Sequence, residues 1–498
     1  MAFFADGKLK KVSVTGGVAI VLCNAPLGTG GSWGEDGTIV AAVNIVGGLF
    51  RISDDGTAPV PLTKLDRERG EVTHRWPQIL PGGKAVLFTA HTRNVGEFDD
   101  ASIEVISLAD RRMKTLLRGG AYGRYVPSGH LIYVNRGTLF AVPFDVGALE
   151  VRGGPAPVIS QVAYSRNQGD GGFEASQKGT LVYGSDSARG GLVTVQWLES
   201  DGRTRALLPK PGDYGRPSLS PDGRRLAMEV GDGPSQDVWV YSLDRDTITR
   251  LTFDGKVNQS PIWSPDGRYI VFGDREGLSW TRADGVGRPQ SLVRTKTPNT
   301  FPWSFTSDGK RLAYNVVDNP ETGYDLWTVP LETDGTGLRA GKPEVYLQTP
   351  FDKRNPSFSP DGRWLAYASN ELGSFQVYVQ AFPDKGGKWQ ISSAGGGYPM
   401  WSHSGRELFF ESLDNRIMVA GYTVQGDSFV PDKPRRWSEK ALANTVNSRK
   451  NVDLAPDSKR FVVVMPAEAG DAQQSRNHVI FLENFFDELR RRVPVSGK

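Results

Sequence analysis

The sequence predicts an all-β fold, a β-propeller of four-stranded antiparallel blades, and three observations carry that prediction. A turn followed by an apolar strand recurs ten times, as in SPDGRRLAM, SPDGRYIVF, TSDGKRLAY and SPDGRWLAY. The copies align on Gly37, Gly83, Gly129, Gly179, Gly223, Gly267, Gly309, Gly362, Gly405 and, with serine substituting, Ser458. Their spacing runs from 42 residues (Gly267 to Gly309) to 53 (Gly309 to Gly362), close to the roughly 40 to 50 residues of a propeller blade. Composition agrees: 59 glycines in 498 residues argue against long helices, while 10% aromatic residues are enough to build cores.

Each element of the repeat has a physical reason. In Ser264-Pro265-Asp266-Gly267, proline presets φ, aspartate bonds its own backbone two residues on, and glycine supplies positive φ, which makes a hairpin turn. The strand before the turn is short and ends in a small or aromatic residue (IWS, FPWS, SFS, MWS), as expected where strands converge on an axis. The strand after it is a continuous apolar run (YIVF, RLAY, WLAY, ELFF), suited to burial between blades. A third strand follows (DVWVYSL, DLWTVPL, QVYVQAF, TLFAVPF), then a more polar fourth (ITRLTF, EVYLQT, KWQISS) with the profile of an outer edge.

Ten copies exceed the usual four to eight blades of one ring, so two rings are expected. The spelling of the turn changes near Pro211-Gly212-Asp213-Tyr214-Gly215. We therefore expect N-terminal blades in 1–211, a C-terminal propeller of about six blades in 212–483, and a helix and tail in 484–498. The N-terminal MAFFADGKLKKVSVTGGVAIVL opens in mid-blade, without a turn of the SPDG kind before it. The last blade has three strands and no evident fourth, so a strand from the N-terminus is expected to close it by pairing. Asn484 to Arg492 reads as a helix with an asparagine N-cap, acids in its first turn and arginines in its last, the order the helix dipole favours. Phe485, Phe486 and Leu489 are expected to pack back on the propeller, and the arginines to form a solvated end.

The balance of 59 basic and 56 acidic residues, with signs interspersed, gives no field for a nucleic-acid partner. Cys23 is the only cysteine, which excludes intrachain disulfides, Cys-based zinc sites and Cys-x-x-Cys chemistry. The apolar runs VAIVLC and IVAAV fall far short of the ~20 residues of a membrane helix, and MAFFADGKLKK is too short in apolar run for a signal peptide. The chain as given reads as soluble, with no compartment specified.

The spelling of the repeat, best in Ser220 to Gly223, Ser264 to Gly267 and Ser359 to Gly362, resembles the TolB-like, Pro-Asp subclass of WD-like propeller repeats over nearly the whole chain. SWGEDGTIV, GLFRIS, RGEVTHRWPQILPGGKAVLFT and the closing NFFDELRRRVP further resemble the propeller region of large bacterial serine/threonine kinases. That likeness implies a sensory, extracytoplasmic role. Kinase activity does not carry over, because no Gly-rich phosphate loop, V-A-I-K, H-R-D or D-F-G stands in the sequence.

Signals for chemistry are sparse. Gly30-Gly31-Ser32-Trp33-Gly34 matches G-x-S-x-G, but a turn and a strand follow it where a nucleophile elbow needs a helix, so Ser32 is read as part of a blade. His74, His91, His130, His403 and His478 fall in five different blades, and none has the spacing of a ligand pair. Glu97-Phe98-Asp99-Asp100 and Asp170-Gly171-Gly172 lack EF-hand spacing and are read as solvated loops. No cofactor or metal is expected.

One pattern points to binding. The residue just before each innermost strand emerges near the axis on one face, which collects His74 and Arg75, Arg124, Arg166, Arg216, Asn258 and Gln259, Asn299, Arg354 and Asn355, Tyr398, and Arg449 and Lys450. Carboxylates are missing from this set, so arginine forks and amides would suit carboxylate, phosphate or hydroxyl groups. Alternatively, these side chains tie neighbouring blades through backbone carbonyls. Trp76, Trp263, Trp303 and Trp401 repeat in register beside them and are expected to pack the core. The expected ligand set is Arg75, Arg124, Arg166, Arg216, Gln259, Asn299, Arg354, Tyr398 and Lys450, with no catalytic residue. The favoured reading is a non-catalytic scaffold binding a protein, peptide or glycan. Its rivals are a propeller lyase or hydrolase acting on acidic glycans, and the propeller part of a prolyl-oligopeptidase-like peptidase.

Overall fold

A computed structural model describes residues 1–498 apart from 56, 93–97, 166–167, 185–192, 233–234, 255–256, 298–299, 318, 320, 334, 336, 384–385, 404, 443–449, 468–478 and 496–498. The described chain is all-β, with antiparallel sheets throughout and a single α-helix, Phe485–Arg492. It is a β-propeller protein built of two compact units, Met1–Arg189 with Ala469–Lys498, and Gly190–Glu468.

The unit Gly190–Glu468 holds six sheets, whose innermost strands are Tyr214–Leu219, Gln259–Trp263, Thr300–Phe305, Lys353–Phe358, Gly397–Trp401 and Val452–Leu454. Apolar clusters lie between successive sheets: Trp263 with Ile270 and Val238, Tyr314 with Val271 and Trp280, Tyr367 with Leu326, and Trp401 with Val379. Phe409 meets Phe461 across the fifth and sixth sheets, and Val462 meets Leu226 across the sixth and first, so the ring is closed.

That closure explains where the observed division departs from the expected one. Val193–Glu199 pairs with Arg460–Pro466 on one side and Thr204–Gly212 on the other, so residues 193–212 complete the sixth sheet instead of ending the first unit. The sheet that was expected to borrow an N-terminal strand is thus filled from mid-chain. Ala2–Ala5 pairs instead with Lys8–Lys11. Val479–Leu482, expected within 212–483, pairs with Leu181–Gly184 in the other unit.

The unit Met1–Arg189 with Ala469–Lys498 holds five sheets. The helix Phe485–Arg492 buries Phe485, Phe486 and Leu489 against Val162, Phe173 and Leu181, as the amphipathic spacing predicted. Asn484 does not cap it as expected: its φ of 55° is left-handed and its side chain makes no capping bond. Its carbonyl accepts the Asp487 N–H instead. Arg490 and Arg491 pair with Asp487 and Glu488 at the surface.

The recurring turn behaves as its chemistry dictates. In Ser359-Pro360-Asp361-Gly362, Ser359 Oγ donates to Asp361 Oδ1 at 2.6 Å, Asp361 accepts the Arg363 N–H at 3.2 Å, and Ser359 Oγ accepts the Trp364 N–H at 3.0 Å. The Gly362 N–H bonds back to Ser359 O at 2.9 Å. Gly223, Gly267 and Gly362 have φ of 67°, 67° and 71°. A Cβ on Gly362 would meet nothing within 4 Å, so strain alone acts there. Gly362→Val is expected to lower unfolding free energy by about 1 kcal/mol or more in a denaturant titration; an unchanged midpoint would contradict the turn assignment.

Candidate functional site

The innermost strands share one irregularity. Their pairing slips between Arg75 and Gln78, Ala121 and Arg124, Gly215 and Ser218, Gln259 and Ile262, Arg354 and Ser357, and Gly397 and Met400. Inside these β-bulges stand Trp76, Tyr122, Arg216, Ser260, Asn355 and Tyr398, all with φ between 47° and 58°. A left-handed non-glycine residue costs about 1–2 kcal/mol, and the neighbouring sheet supplies a compensating bond. The Arg216 N–H donates to Lys450 O at 3.0 Å, the Ser260 N–H to Glu229 Oε1 at 2.6 Å, and the Tyr398 N–H to Asn355 Oδ1 at 3.4 Å. In the other unit, Trp76 donates to Thr29 O and Tyr122 to Thr89 Oγ1, both at 3.1 Å. Proline follows five of the six residues, at 77, 217, 261, 356 and 399; the extra position of a bulge needs no ladder N–H, so proline is tolerated there.

In Gly190–Glu468 the bulges bring most of the predicted set together. Arg216 Nη1 lies 3.2 Å from Glu229 Oε1, donates to Gln259 Oε1 at 3.3 Å and to Ser260 Oγ, and its guanidinium covers the Phe301 ring at 4.8 Å. Arg354 reaches Asp352 Oδ2 through Nε at 2.8 Å and Nη2 at 2.6 Å, between the Tyr324 ring at 4.8 Å and the Phe375 ring at 5.1 Å. Lys450 donates to Asp453 Oδ1 at 2.6 Å. Tyr398 stands among them. Burial pushes its phenol up to about 12 and Glu411 adds to that, while Arg354 and Arg216 pull the other way. Its ring centre is 6.0 Å from that of Trp303.

Three expectations are corrected here. Carboxylates are not missing from the axis: they stand one strand away or two or three residues away in sequence, as Glu229, Asp352, Asp453 and Glu411. Arg75 is not a free fork but is 4% exposed, bonded to Ile45 O, Gln168 O, Gln168 Oε1 and Thr73 Oγ1. Arg124 gives Nη1 to Trp76 O and Gly123 O and approaches Glu174 at 4.0 Å. Arg75 and Arg124 therefore tie blades in their own unit. Arg166, Asn299 and Arg449 lie outside the described residues.

The remaining candidates resolve locally. Ser32 Oγ accepts the Ile79 N–H at 3.0 Å, a tie between sheets. His74 is buried between Thr63 and Glu71, His91 stacks on Phe98, His130 bonds Ser128 and Val493 O, and His478 is outside the described residues. Phe98–Asp100 forms a buried turn rather than a solvated loop, with Asp99 Oδ1 accepting the Arg136 N–H. Glu97 is not described. Asp170 is likewise withdrawn from water, and burial raises its carboxyl above the usual range. Among the described residues, no three His, Cys, Asp or Glu side chains gather to hold a metal ion. Trp263 and Trp401 pack the core and donate Nε1–H to Ser218 O and Ser357 O, both at 2.9 Å. Trp303 does not follow them: it is half-buried and faces Tyr398.

Glu229 and Glu411 escaped the sequence reading. Each closes an apolar second strand, in RRLAMEV and RELFFE, and an acid inside a buried run is the signal that would have found them. Glu411 is 8% exposed, and burial pushes its carboxyl up to about 7.

No protein-family model matches the chain. Over 234 residues it is 28% identical to the Tol-Pal system protein TolB of Francisella tularensis, covering 45% of this chain and 51% of that protein. It is 26% identical over 302 residues to an uncharacterized protein of Agrobacterium fabrum, covering 56% of this chain and 96% of that one. The solved structure of a putative TolB from Agrobacterium tumefaciens aligns with a TM-score of 0.42 at 18% identity, over 56% of this chain and 99% of that one. The chain spans about half the length of the TolB relatives it matches, and its repeats are TolB-like propeller repeats.

The raised carboxyl of Glu411 has a measurable consequence. Its ordinary value is 4.5 and its folded value about 7, so the folded state holds this proton more tightly than the unfolded chain. Its contribution to stability is full below pH 4.5 and is lost as pH rises to about 7, a difference of roughly 3 kcal/mol. Glu411→Gln is expected to raise the melting temperature at pH 8 and leave it nearly unchanged at pH 4.5; a lower melting temperature at pH 8 would contradict this.

Proposed function

We propose that the chain is a non-catalytic binding module whose polypeptide partner docks on the axial face of Gly190–Glu468. The observation that carries this reading is Arg354. Asp352 takes one edge of its guanidinium, Tyr324 and Phe375 flank its faces, and no described residue takes Nη1. Burial opposes the charge of Arg354, and Asp352 more than restores it, so the guanidinium stays ionised. Aromatic rings and arginine are the side chains that dominate binding energy at protein interfaces. Similarity to a protein of the Tol-Pal system, over about half that protein's length, supports a polypeptide as the partner. The kinase-like spelling of the N-terminal repeats would place such a module in a sensory assembly.

Selection of peptides by display against the purified chain, followed by titration of the enriched sequences, tests the reading. Arg354→Lys and Phe375→Ala are each expected to weaken binding by about tenfold or more, with melting temperatures close to that of the parent. Enriched peptides that bind both variants as tightly as the parent would overturn it.

A further inference from the structure

We infer that the axial site of Gly190–Glu468 takes its ligand through an ammonium group, a lysine side chain of a basic polypeptide seated on the carboxyl of Glu411. This rests on the reading of that axis as a binding site and specifies what it accepts. The argument is a balance of charge. Among the described residues, three cations near the axis already have an acid: Arg216 has Glu229 at 3.2 Å, Arg354 has Asp352 at 2.6 Å, and Lys450 has Asp453 at 2.6 Å; a fourth, Lys353, is buried with its ammonium on Phe351 O at 2.6 Å and Thr349 O at 3.3 Å. Among the described residues, Glu411 is an axial acid with no cation paired to it. It is 8% exposed, and its carboxyl has no hydrogen bond or ion pair with any described residue.

A buried carboxylate without a partner is costly, and a ligand that pairs with it removes that cost. The surroundings favour a compact cation. The phenol of Tyr398 is close enough for Glu411 to oppose its ionisation, and the Trp303 ring lies 6.0 Å from that of Tyr398. Aromatic faces attract ammonium groups, and an ammonium offers three donors to a single carboxylate. An anion entering beside Glu411 would meet an uncompensated acid, so the charge preference is opposite to the one that the row of arginines suggested in the sequence.

The site is also proton-linked. Tyr398, on the same sheet, is the titratable group that senses Glu411, and Arg354, Arg216 and Tyr324 act on Tyr398 in turn; burial alone accounts for the raised carboxyl of Glu411. Among the described residues of this unit, burial brings two groups toward neutral pH, Glu411 up to about 7 and Lys353 down to about 8, and of these Glu411 is the acid that an ammonium would pair with. Ammonium binding releases its proton, and affinity rises from pH 6 to pH 8.

The test is calorimetric titration of the full chain with three acetylated, amidated tripeptides, Gly-X-Gly, where X is lysine, norleucine or glutamate. The lysine peptide is expected to bind about tenfold or more tighter than the norleucine peptide at pH 8, less so at pH 6. Glu411→Gln is expected to abolish that difference without lowering the melting temperature at pH 8. Tighter binding of the glutamate peptide, or unchanged lysine binding by Glu411→Gln, overturns the inference. If none of the three binds while display-selected peptides still depend on Phe375, the ammonium inference fails and the binding reading stands. If those peptides fail as well, both fall.

Discussion

A bulge in the innermost strand is the constraint from which the rest of this structure follows. It places one left-handed residue in each of Tyr214–Leu219, Gln259–Trp263, Lys353–Phe358 and Gly397–Trp401, and turns that residue's side chain and N–H out of its own ladder. The N–H then becomes available to the preceding sheet, which is how Glu229 holds Ser260 and Asn355 holds Tyr398. Three residues further on, a second tie repeats: the Leu219 N–H donates to Asp453 Oδ2 at 2.8 Å and the Phe358 N–H to Ser304 Oγ at 3.0 Å. With the indole bonds of Trp263 and Trp401 to the preceding sheets, these ties fix the rotation of the sheets about the axis, because hydrogen bonds are directional and burial is not.

The same device loads the axis with polar side chains. Arg216 and Tyr398 point inward because they occupy bulges, and buried charges persist only when paired. Glu229, Asp352 and Asp453 supply that pairing, each from a position one strand or a few residues away. The ties between sheets and the proposed binding surface therefore share one set of residues. Replacing Arg216 leaves Glu229 buried without its cation, whereas the outer amino group of Arg354 can meet a partner without disturbing a tie between sheets.

The fold was legible because turn chemistry is local. Ser-Pro-Asp-Gly specifies its own hydrogen bonds within five residues, so ten copies in register reveal the blades before any contact is known. Ring closure was less legible, since the pairing of Val193–Glu199 with Arg460–Pro466 joins segments far apart in sequence and leaves no local signature. At the axis, the place before a strand picked out Arg216, Gln259, Arg354, Tyr398 and Lys450 as a group, but their charge environment was misjudged. The acids that neutralise them come from second strands, as Glu229 does, or lie two or three residues away, as Asp352 and Asp453 do, and inspecting one position per blade passes over them. The proline after each of five bulge residues was an unused signal of the bulge itself.

Amide hydrogen exchange across the unit Gly190–Glu468 tests the central claim most directly. If the bulges are held by the preceding sheet, the amides of Arg216 and Ser260 exchange as slowly as those of the buried second strands, although they belong to no ladder of their own sheet. Glu229→Ala should then release Ser260 selectively while Leu226 and Ile270 stay protected. Exchange of Arg216 and Ser260 at the rate of exposed turns in the parent protein would contradict the account.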